Sequence, residues 1–137
     1  MTTTTENLTM GMYTELHYNT QLKTNVPESV INVLRYMLGE TENEPETPVH
    51  ELFSDASMWR FMLRSDSYYF DADTHSTLRY DDISKSYYLC IRCSLKNYYG
   101  EILLFCDWIR PYIYKMEGEF LGFSRYEESE TPELIYA

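Results

Sequence analysis

The three histidines of the chain are the first side chains to test for catalysis, because imidazole acts as an acid, a base or a metal ligand near neutral pH. His17 falls in a predicted strand, His50 in a predicted short helix and His75 in a predicted turn. Their spacing matches neither a metal-binding motif nor a catalytic triad. We therefore predict that the chain has no catalytic residues.

Four aspartates are close enough in the sequence to gather around a divalent cation: Asp71, Asp73, Asp81 and Asp82. The Asp-x-Asp spacing resembles part of a calcium-binding loop, but the glycine and the distal glutamate of such a loop are missing. A solvated turn is the simpler interpretation, and we predict no metal site and no cofactor. A metal-dependent enzyme built on these aspartates is the third hypothesis for function.

The cysteines have part of a metal-binding pattern. Cys90 and Cys93 have the spacing of half a zinc knuckle, but zinc needs four ligands and no second pair lies at a suitable distance. In a strand, side chains three residues apart point to opposite faces. With Cys106 the cysteines make an odd number, which argues against a disulfide framework. We predict structural thiols in a reducing cytoplasm.

The negative charge of the chain restricts its partners. There are 22 acidic and 11 basic residues, for a net charge of -11. Residues 40–55 contain six acids and no Lys or Arg, and residues 117–137 contain six acids with Arg125 as the only Lys or Arg. Such a field repels phosphates and anionic membranes. We predict no direct contact with nucleic acid, no contact with membrane, and a protein partner with a basic surface.

Fourteen tyrosines, several in doublets, are typical of a protein interface, because tyrosine is enriched where proteins meet. An open sheet bearing tyrosines can also stack nucleobases, but the signature of RNA-recognition modules is missing. Ordinary sheet packing and solvating loops explain the same residues without a partner. The residues that we predict to contact a partner are Glu40, Glu42, Glu44, Glu46, Glu127, Glu128, Glu130, Tyr68, Tyr69, Tyr98 and Tyr99.

A second hypothesis is that the chain binds a small molecule or a nucleotide as a homodimer. Two sheets of the predicted fold can pair and enclose a ligand between them. Arginine side chains would then hold an anionic group of that ligand. The arginines that we assign to this role are Arg60, Arg64, Arg79 and Arg92.

The first part of the chain contains one clearly predicted helix. Residues 11–23 alternate aromatic or β-branched with polar side chains, which predicts a strand. Pro27 suits the first turn of a helix and Gly39 suits its end, and apolar residues between them follow the i, i+3, i+4 pattern. Residues 40–47 alternate glutamate with polar residues and predict an exposed acidic loop.

The rest of the chain is predicted as shorter elements. Thr47 and Pro48 are typical of a helix start, so a short helix is expected after them, and residues 58–63 fit either a helix or a strand. The remaining predictions are a strand at 67–70, a turn at 71–76, an extended piece at 77–80, a strand at 87–96, a helix at 100–108 and an edge hairpin of 119–126 with 134–136.

A repeat in the sequence indicates how these elements are arranged. The strand and helix pattern of residues 16–37 returns in residues 89–109, with apolar positions aligned. An internally duplicated strand-helix unit is typical of the ferredoxin-like α+β fold, in which two main helices cover one face of an antiparallel sheet. We predict such a fold for residues 11–137 as a single domain, after a flexible segment 1–10.

Three short stretches carry a resemblance to known proteins. Residues 11–19 (GMYTELHYN), 67–70 (SYYF) and 94–97 (SLKN) resemble small uncharacterised acidic proteins encoded by bacteriophages and prophages. The resemblance implies no catalytic residue. It implies a non-enzymatic protein that acts in the cytoplasm of a bacterial host cell and inhibits a basic or nucleic-acid-binding host or defence protein.

Overall fold

The computed structural model describes residues 12–137 as an α+β chain. Its elements are β1 (Thr14–Gln21), α1 (Glu28–Met37), β2 (Thr77–Asp81), β3 (Ser86–Leu95), α2 (Glu101–Ile109), β4 (Phe120–Tyr126) and β5 (Glu133–Tyr136). Short 3-10 helices form at Glu51–Phe53, Met62–Arg64 and Arg110–Tyr112. The predicted flexible segment 1–10 lies outside the described residues. Within residues 12–137, no helix has the length and apolarity to cross a membrane.

The five strands form one open antiparallel sheet in the order β2-β3-β1-β4-β5. β1 lies at the centre, where Thr14 pairs with Leu95 of β3 and with Tyr126 of β4. The ends of β3 and β4 therefore meet at the start of β1. An α+β fold with an antiparallel sheet was predicted from the sequence, and the structure confirms it.

Alternation along the strands places apolar side chains on one face of the sheet. In β1, Leu16 and Tyr18 are fully buried, and in β3, Leu89 and Ile91 are buried. Both helices contribute their apolar sides to the same core cluster as these strand residues. Residues such as Asn19, which alternate with the buried positions, lie on the opposite, open face.

The two helices form where the sequence predicts them. Pro27 precedes α1, and Gly39 follows it with φ of +79°, a backbone conformation that glycine adopts at little cost. The apolar stripe of α1 is buried, at Val30, Ile31, Val33, Leu34 and Met37. α2 is more apolar throughout, and its Phe105 ring packs edge-on against Tyr18, with 5.9 Å between ring centroids.

The predicted strand at 67–70 is wrong. Residues 65–76 form an irregular loop that crosses the edge of β3: the Ser94 N–H donates to the Ser65 carbonyl at 3.1 Å, and the His75 N–H donates to the Arg92 carbonyl at 2.7 Å. The backbone of this segment bonds β3 at its two ends only. The one buried ring of the loop, Phe70, lies beside Arg125, whose guanidinium carbon is 5.1 Å from the ring centroid.

The short helix predicted after Thr47 and Pro48 forms, but it is a 3-10 helix and does not begin at these two residues. A single 3-10 turn forms later, at Glu51–Phe53, and its cap is His50, whose Nδ1 accepts a hydrogen bond from the Leu52 N–H at 3.0 Å. A ring nitrogen replaces the expected hydroxyl acceptor. Residues 58–63, which fitted either element, fold as turns that lead into the 3-10 helix Met62–Arg64.

Candidate functional site

The end of the sheet where β3 and β4 finish gathers several of the predicted partner-binding residues. Tyr98 and Tyr99 follow β3, and the acidic turn of residues 127–132 follows β4. Because Leu95 and Tyr126 both pair with Thr14, these two connections leave the sheet side by side. We call this region the Tyr98 end; it comprises residues 12–14, 58–65, 95–101 and 124–133.

The loop that carries Tyr98 and Tyr99 is held by its own backbone geometry. Asn97 has φ of +55° and Gly100 has φ of +73°. The Asn97 Oδ1 accepts a hydrogen bond from the Ile102 N–H at 2.9 Å, which satisfies an amide at the start of α2. The two tyrosines project outward, with 49% and 58% of their surface exposed.

A buried carboxylate joins this loop to the segment before it. Glu101 is 1% exposed, and its two oxygens accept hydrogen bonds from the Met58 N–H at 2.9 Å and from the Tyr99 N–H at 3.1 Å. Glu101 is not among the site residues predicted from the sequence. An acidic residue in the first turn of a strongly apolar helix was the one available signal, and it is also typical of an exposed charge.

An apolar groove of about 370 Å³ lies between that segment and the loop. We call it the apolar groove, and its walls include Tyr13, Met58, Phe61, Met62, Tyr98 and Tyr99. Met58 and Phe61 are 56% and 53% exposed, although both are large apolar side chains. Exposed apolar side chains grouped around a concavity are typical of a binding surface.

A second groove of about 510 Å³ shares Tyr98 with the first as a lining residue. We call it the acidic groove, and its walls include Met12, Lys96, Tyr98, Tyr126, Ser129 and Glu133. The Tyr126 hydroxyl donates to the Met12 sulfur at 3.1 Å. The pKa of Tyr126 is raised, first by partial burial and then by the negative charges of Glu128 and Glu127.

The carboxylates in and beside the acidic groove outnumber Lys96, the one base that lines it. Arg125 is the only basic residue of segment 117–137, and its guanidinium forms an ion pair with Glu15 at 2.7 Å, on the open face of the sheet. Glu127 accepts a hydrogen bond from the Tyr13 N–H at 2.6 Å. Within residues 12–137, no ion pair is found for Glu128, Glu130 or Glu133.

The first acidic segment is partly neutralised. Glu44 forms an ion pair with Arg60 at 2.6 Å and accepts a hydrogen bond from the Tyr36 hydroxyl at 3.1 Å. These hydrogen bonds, that of Arg60 first, lower the pKa of Glu44. The other three acids of this loop, Glu40, Glu42 and Glu46, are exposed.

The remaining predicted partner residues, Tyr68 and Tyr69, lie in the loop 65–76. Tyr68 is fully exposed, and Tyr69 packs edge-on against Phe70, with 5.0 Å between ring centroids. Neither tyrosine is among the residues that line the two grooves. The structure therefore separates this doublet from Tyr98 and Tyr99, which line the apolar groove.

The four arginines of the small-molecule hypothesis have different neighbours. Arg60 pairs with Glu44, and the Arg64 guanidinium carbon lies 5.3 Å from the Phe61 ring centroid. On the open face of the sheet, Arg79 lies over the Tyr88 ring at 4.9 Å, and the Arg92 Nε–H donates to the Asp73 carbonyl at 2.7 Å. The structure thus leaves Arg79 and Arg92 as exposed cations of the open face.

In the described part of the chain, residues 12–137, no group of three or more His, Cys, Asp or Glu side chains could hold a metal ion. Asp81 accepts a hydrogen bond from the Ser84 N–H at 2.8 Å, and this bond is the main cause of its lowered pKa. His17 and His50 each contact one carboxylate at 2.9 Å, those of Glu15 and Asp107. The aspartates proposed as ligands therefore do not form a metal site there.

The cysteines differ in their exposure. Cys90 is exposed, whereas Cys93 and Cys106 are buried. Burial raises the pKa of the Cys93 thiol to about 12 and that of the Cys106 thiol to about 11. The two buried thiols are therefore neutral at physiological pH and lack the thiolate that a nucleophile needs.

Comparison with known proteins gives no match, whether to a protein-family model, to a curated protein or to a solved structure. The resemblance to phage-encoded proteins stays a prediction. The two grooves and the charges that surround them are therefore the features of this chain that bear on its function.

Proposed function

We propose that this chain is a non-enzymatic binding protein that holds a protein partner with a basic surface at its Tyr98 end. The observation that supports this proposal is the acidic groove. Two tyrosines and Glu133 line it, and Glu128 and Glu130 beside it have no ion pair within residues 12–137. An excess of negative charge over the single Lys96 that lines the groove, next to exposed aromatic rings, is complementary to a basic partner.

The two kinds of residue have different tasks in this proposal. The carboxylates act at long range, because a strong negative field accelerates the approach of a positively charged partner. The tyrosines act at contact, because a rigid ring with one polar atom buries a large area at little cost in conformational entropy. Tyr98 borders both grooves and is the residue on which we expect binding to depend most.

The partner that we propose is a nucleic-acid-binding host or defence protein, and the chain would inhibit it in the bacterial cytoplasm. Carboxylates placed where phosphates would otherwise lie can occlude a nucleic-acid-binding groove. The excess of acidic over basic residues is compatible with this role. The resemblance to small acidic phage proteins favours the same context.

We also propose that the fold is ferredoxin-like and arose by duplication of a strand-helix unit. The strand order β2-β3-β1-β4 supports this proposal, because β1 and β3, which each lead into a helix, are the central neighbours. The aligned apolar positions of the two units also support it, since Leu16 and Leu89 are both fully buried in their strands.

Two triple variants of equal charge provide the test. One replaces Glu128 and Glu130 of the acidic turn, together with Glu133 at the start of β5, with Gln. Its matched control replaces Glu40, Glu42 and Glu46 in the other acidic segment with Gln. Each tagged protein is used to capture partners from bacterial lysate. The captured partners are released with salt, identified by mass spectrometry and purified. Association and dissociation rates are then measured at low and high salt.

We expect both triple variants to slow association to a similar extent, because each removes the same charge. Only the variant of the acidic turn should also dissociate faster, by about tenfold or more for a loss of roughly 1.4 kcal/mol. Equal dissociation rates of the two variants would contradict a contact at the Tyr98 end. A partner with an acidic binding surface would contradict the proposal as a whole.

A small anionic ligand is the second candidate function, and the open face of the sheet favours it. Arg79 and Arg92 are exposed there, and Asn19 and Cys90 on the same face are exposed as well. A thermal-shift screen with nucleotides and other anionic metabolites tests this candidate. Stabilisation that is lost in the Arg79→Gln/Arg92→Gln variant would support it, whereas no stabilisation by any compound would dismiss it.

A further inference from the structure

The apolar and acidic grooves are neighbours, and their chemistry differs. Lys96, Asn97 and Tyr98 line both of them, so the loop after β3 is a wall with one groove on each side. A chain that crosses this wall would contact both grooves with residues close in its sequence. The chemistry of each groove therefore indicates which kind of segment would occupy both of them.

The acidic groove is suited to a cationic side chain. Tyr98 and Tyr126 supply aromatic rings, which attract cations to their faces, and Glu133 supplies a carboxylate. The ammonium of Lys96 lies 5.9 Å from the centroid of the Tyr98 ring. This ring can thus face a cation in the folded protein. One ammonium does not balance the charges of Glu128, Glu130 and Glu133.

The apolar groove is suited to an uncharged side chain. Met62 and Leu95 are buried at its base, and Met58 and Phe61 are half-exposed at its rim. Its one carboxylate, that of Glu101, is buried and already accepts two backbone hydrogen bonds. Methionine adapts to the shape of different apolar partners, which suits a groove that takes a leucine, isoleucine or phenylalanine.

The wall between the grooves is held in place before any partner arrives. The Asn97 side chain bonds the Ile102 N–H at 2.9 Å, and the Glu101 side chain bonds the Tyr99 N–H at 3.1 Å. A loop fixed by such bonds loses little conformational entropy on binding. A short linear segment can cross such a preorganised wall and place one side chain in the groove on each side.

We infer that the two grooves form one bipartite site for a short segment of the partner, with a lysine or arginine side chain in the acidic groove and an apolar side chain in the apolar groove. The inference rests on the proposed function and makes it specific, because it names the segment that the basic partner presents. The two anchors lie within a few residues of each other in the segment, because only the loop wall separates the grooves.

Methionine methyl groups report on the two grooves separately. Met12 lines the acidic groove, Met58 and Met62 line the apolar groove, and Met116 is 78% exposed and lines neither. The intact protein is labelled with ¹³C-methyl methionine and titrated with three short glycine-serine peptides. One peptide contains a single Arg, one contains a single Leu, and one contains both residues close together.

The Arg peptide should shift the Met12 methyl signal, and the Leu peptide should shift those of Met58 and Met62. The peptide with both residues should shift all three and bind at least about tenfold more tightly than either alone, because the second contact is then intramolecular. The methyl signal of Met116 should not shift with any peptide. A peptide with Glu in place of Arg should leave Met12 unchanged.

Single substitutions should separate the two anchors. Glu133→Gln should weaken the Arg peptide alone, Met58→Thr should weaken the Leu peptide alone, and Tyr98→Ala should weaken both. The inference is overturned if none of the peptides moves the groove methyl groups, if Met116 moves as much as Met12, or if joining the two residues brings no gain. A different outcome would separate the two proposals: a basic partner is captured, the triple variant of the acidic turn releases it faster, and the protein does not respond to these peptides. The proposed function would then stand, and the bipartite site would be excluded.

Discussion

At the scale of single residues, one buried carboxylate shapes the Tyr98 end. Glu101 bonds the backbone of Met58 on one side and of Tyr99 on the other, so it fixes both walls of the apolar groove. The partner amides belong to a segment 43 residues earlier and to the loop just before α2. The sequence shows that an acidic residue lies at the predicted start of α2, but it does not show that this residue is buried.

The Glu101→Gln substitution should therefore destabilise the protein. The amide keeps one acceptor oxygen, and its NH₂ group then faces a backbone N–H, so one buried donor loses its partner. We expect a loss of about 1–3 kcal/mol in the free energy of unfolding, measured by urea denaturation. Glu28→Gln, at an exposed position in the first turn of α1, is the matched control and should cost less than about 0.5 kcal/mol. Equal losses would show that the Glu101 bonds contribute little.

At the scale of elements, the approach of β4 to β1 depends on one position without a side chain. A Cβ atom on Gly122 would lie 1.8 Å from the His17 carbonyl oxygen, which is far inside van der Waals contact. Gly122 is in β4, opposite Tyr18, where the two strands pair. This pairing continues to Tyr126 and so places the acidic turn beside the start of β1.

Gly122→Ala should weaken the β1–β4 pairing, because the backbone of one strand must move to admit the methyl group. The control is Gly118→Ala, where φ is +88° but no atom lies within 4 Å of the added Cβ. We expect the control to cost about 1–2 kcal/mol through its left-handed backbone and Gly122→Ala to cost clearly more. Thermal and urea unfolding compare the two, and a smaller loss for Gly122→Ala would mean that β4 can shift without penalty.

Local patterns predicted the regular elements better than the irregular ones. The stripe of α1 and the alternation of β1 and β3 are repeated signals, and each places apolar residues on the buried side. The segment 65–76 has no such repetition: its single buried ring, Phe70, contacts Arg125, which is distant in the sequence. Its tyrosines favoured a strand, but its backbone bonds the edge of β3 only at the ends.

At the scale of the whole molecule, the core formed by residues 12–137 buries three ionisable groups as neutral acids. Burial raises the pKa of the Cys93 thiol to about 12, that of the Cys106 thiol to about 11, and that of the Tyr18 hydroxyl above its ordinary value. In the unfolded chain these groups ionise at their ordinary pKa values. Stability is therefore intact below those values and falls as the pH rises, because the unfolded chain releases protons that the folded chain retains.

We expect the free energy of unfolding to decline from about pH 9 upward, by up to about 1.4 kcal/mol per pH unit for each group that is ionised only in the unfolded state. Urea denaturation from pH 7 to pH 11 measures the decline. The Cys93→Ala variant is less stable at every pH, because of its cavity, but its decline should be shallower than that of the wild type. The same slope in both proteins would contradict the neutral buried thiol.

The sequence by itself determined the α+β class, the two main helices and the charged segments, because these features depend on composition and on periodicity within a few residues. Tertiary structure decided which charges remain available. It paired Arg125 with Glu15, 110 residues away, and so left the acidic turn without its one local base. It also placed the ends of β3 and β4 side by side, which formed both grooves around Tyr98. Contacts of this range depend on strand order and register, which local periodicity does not encode.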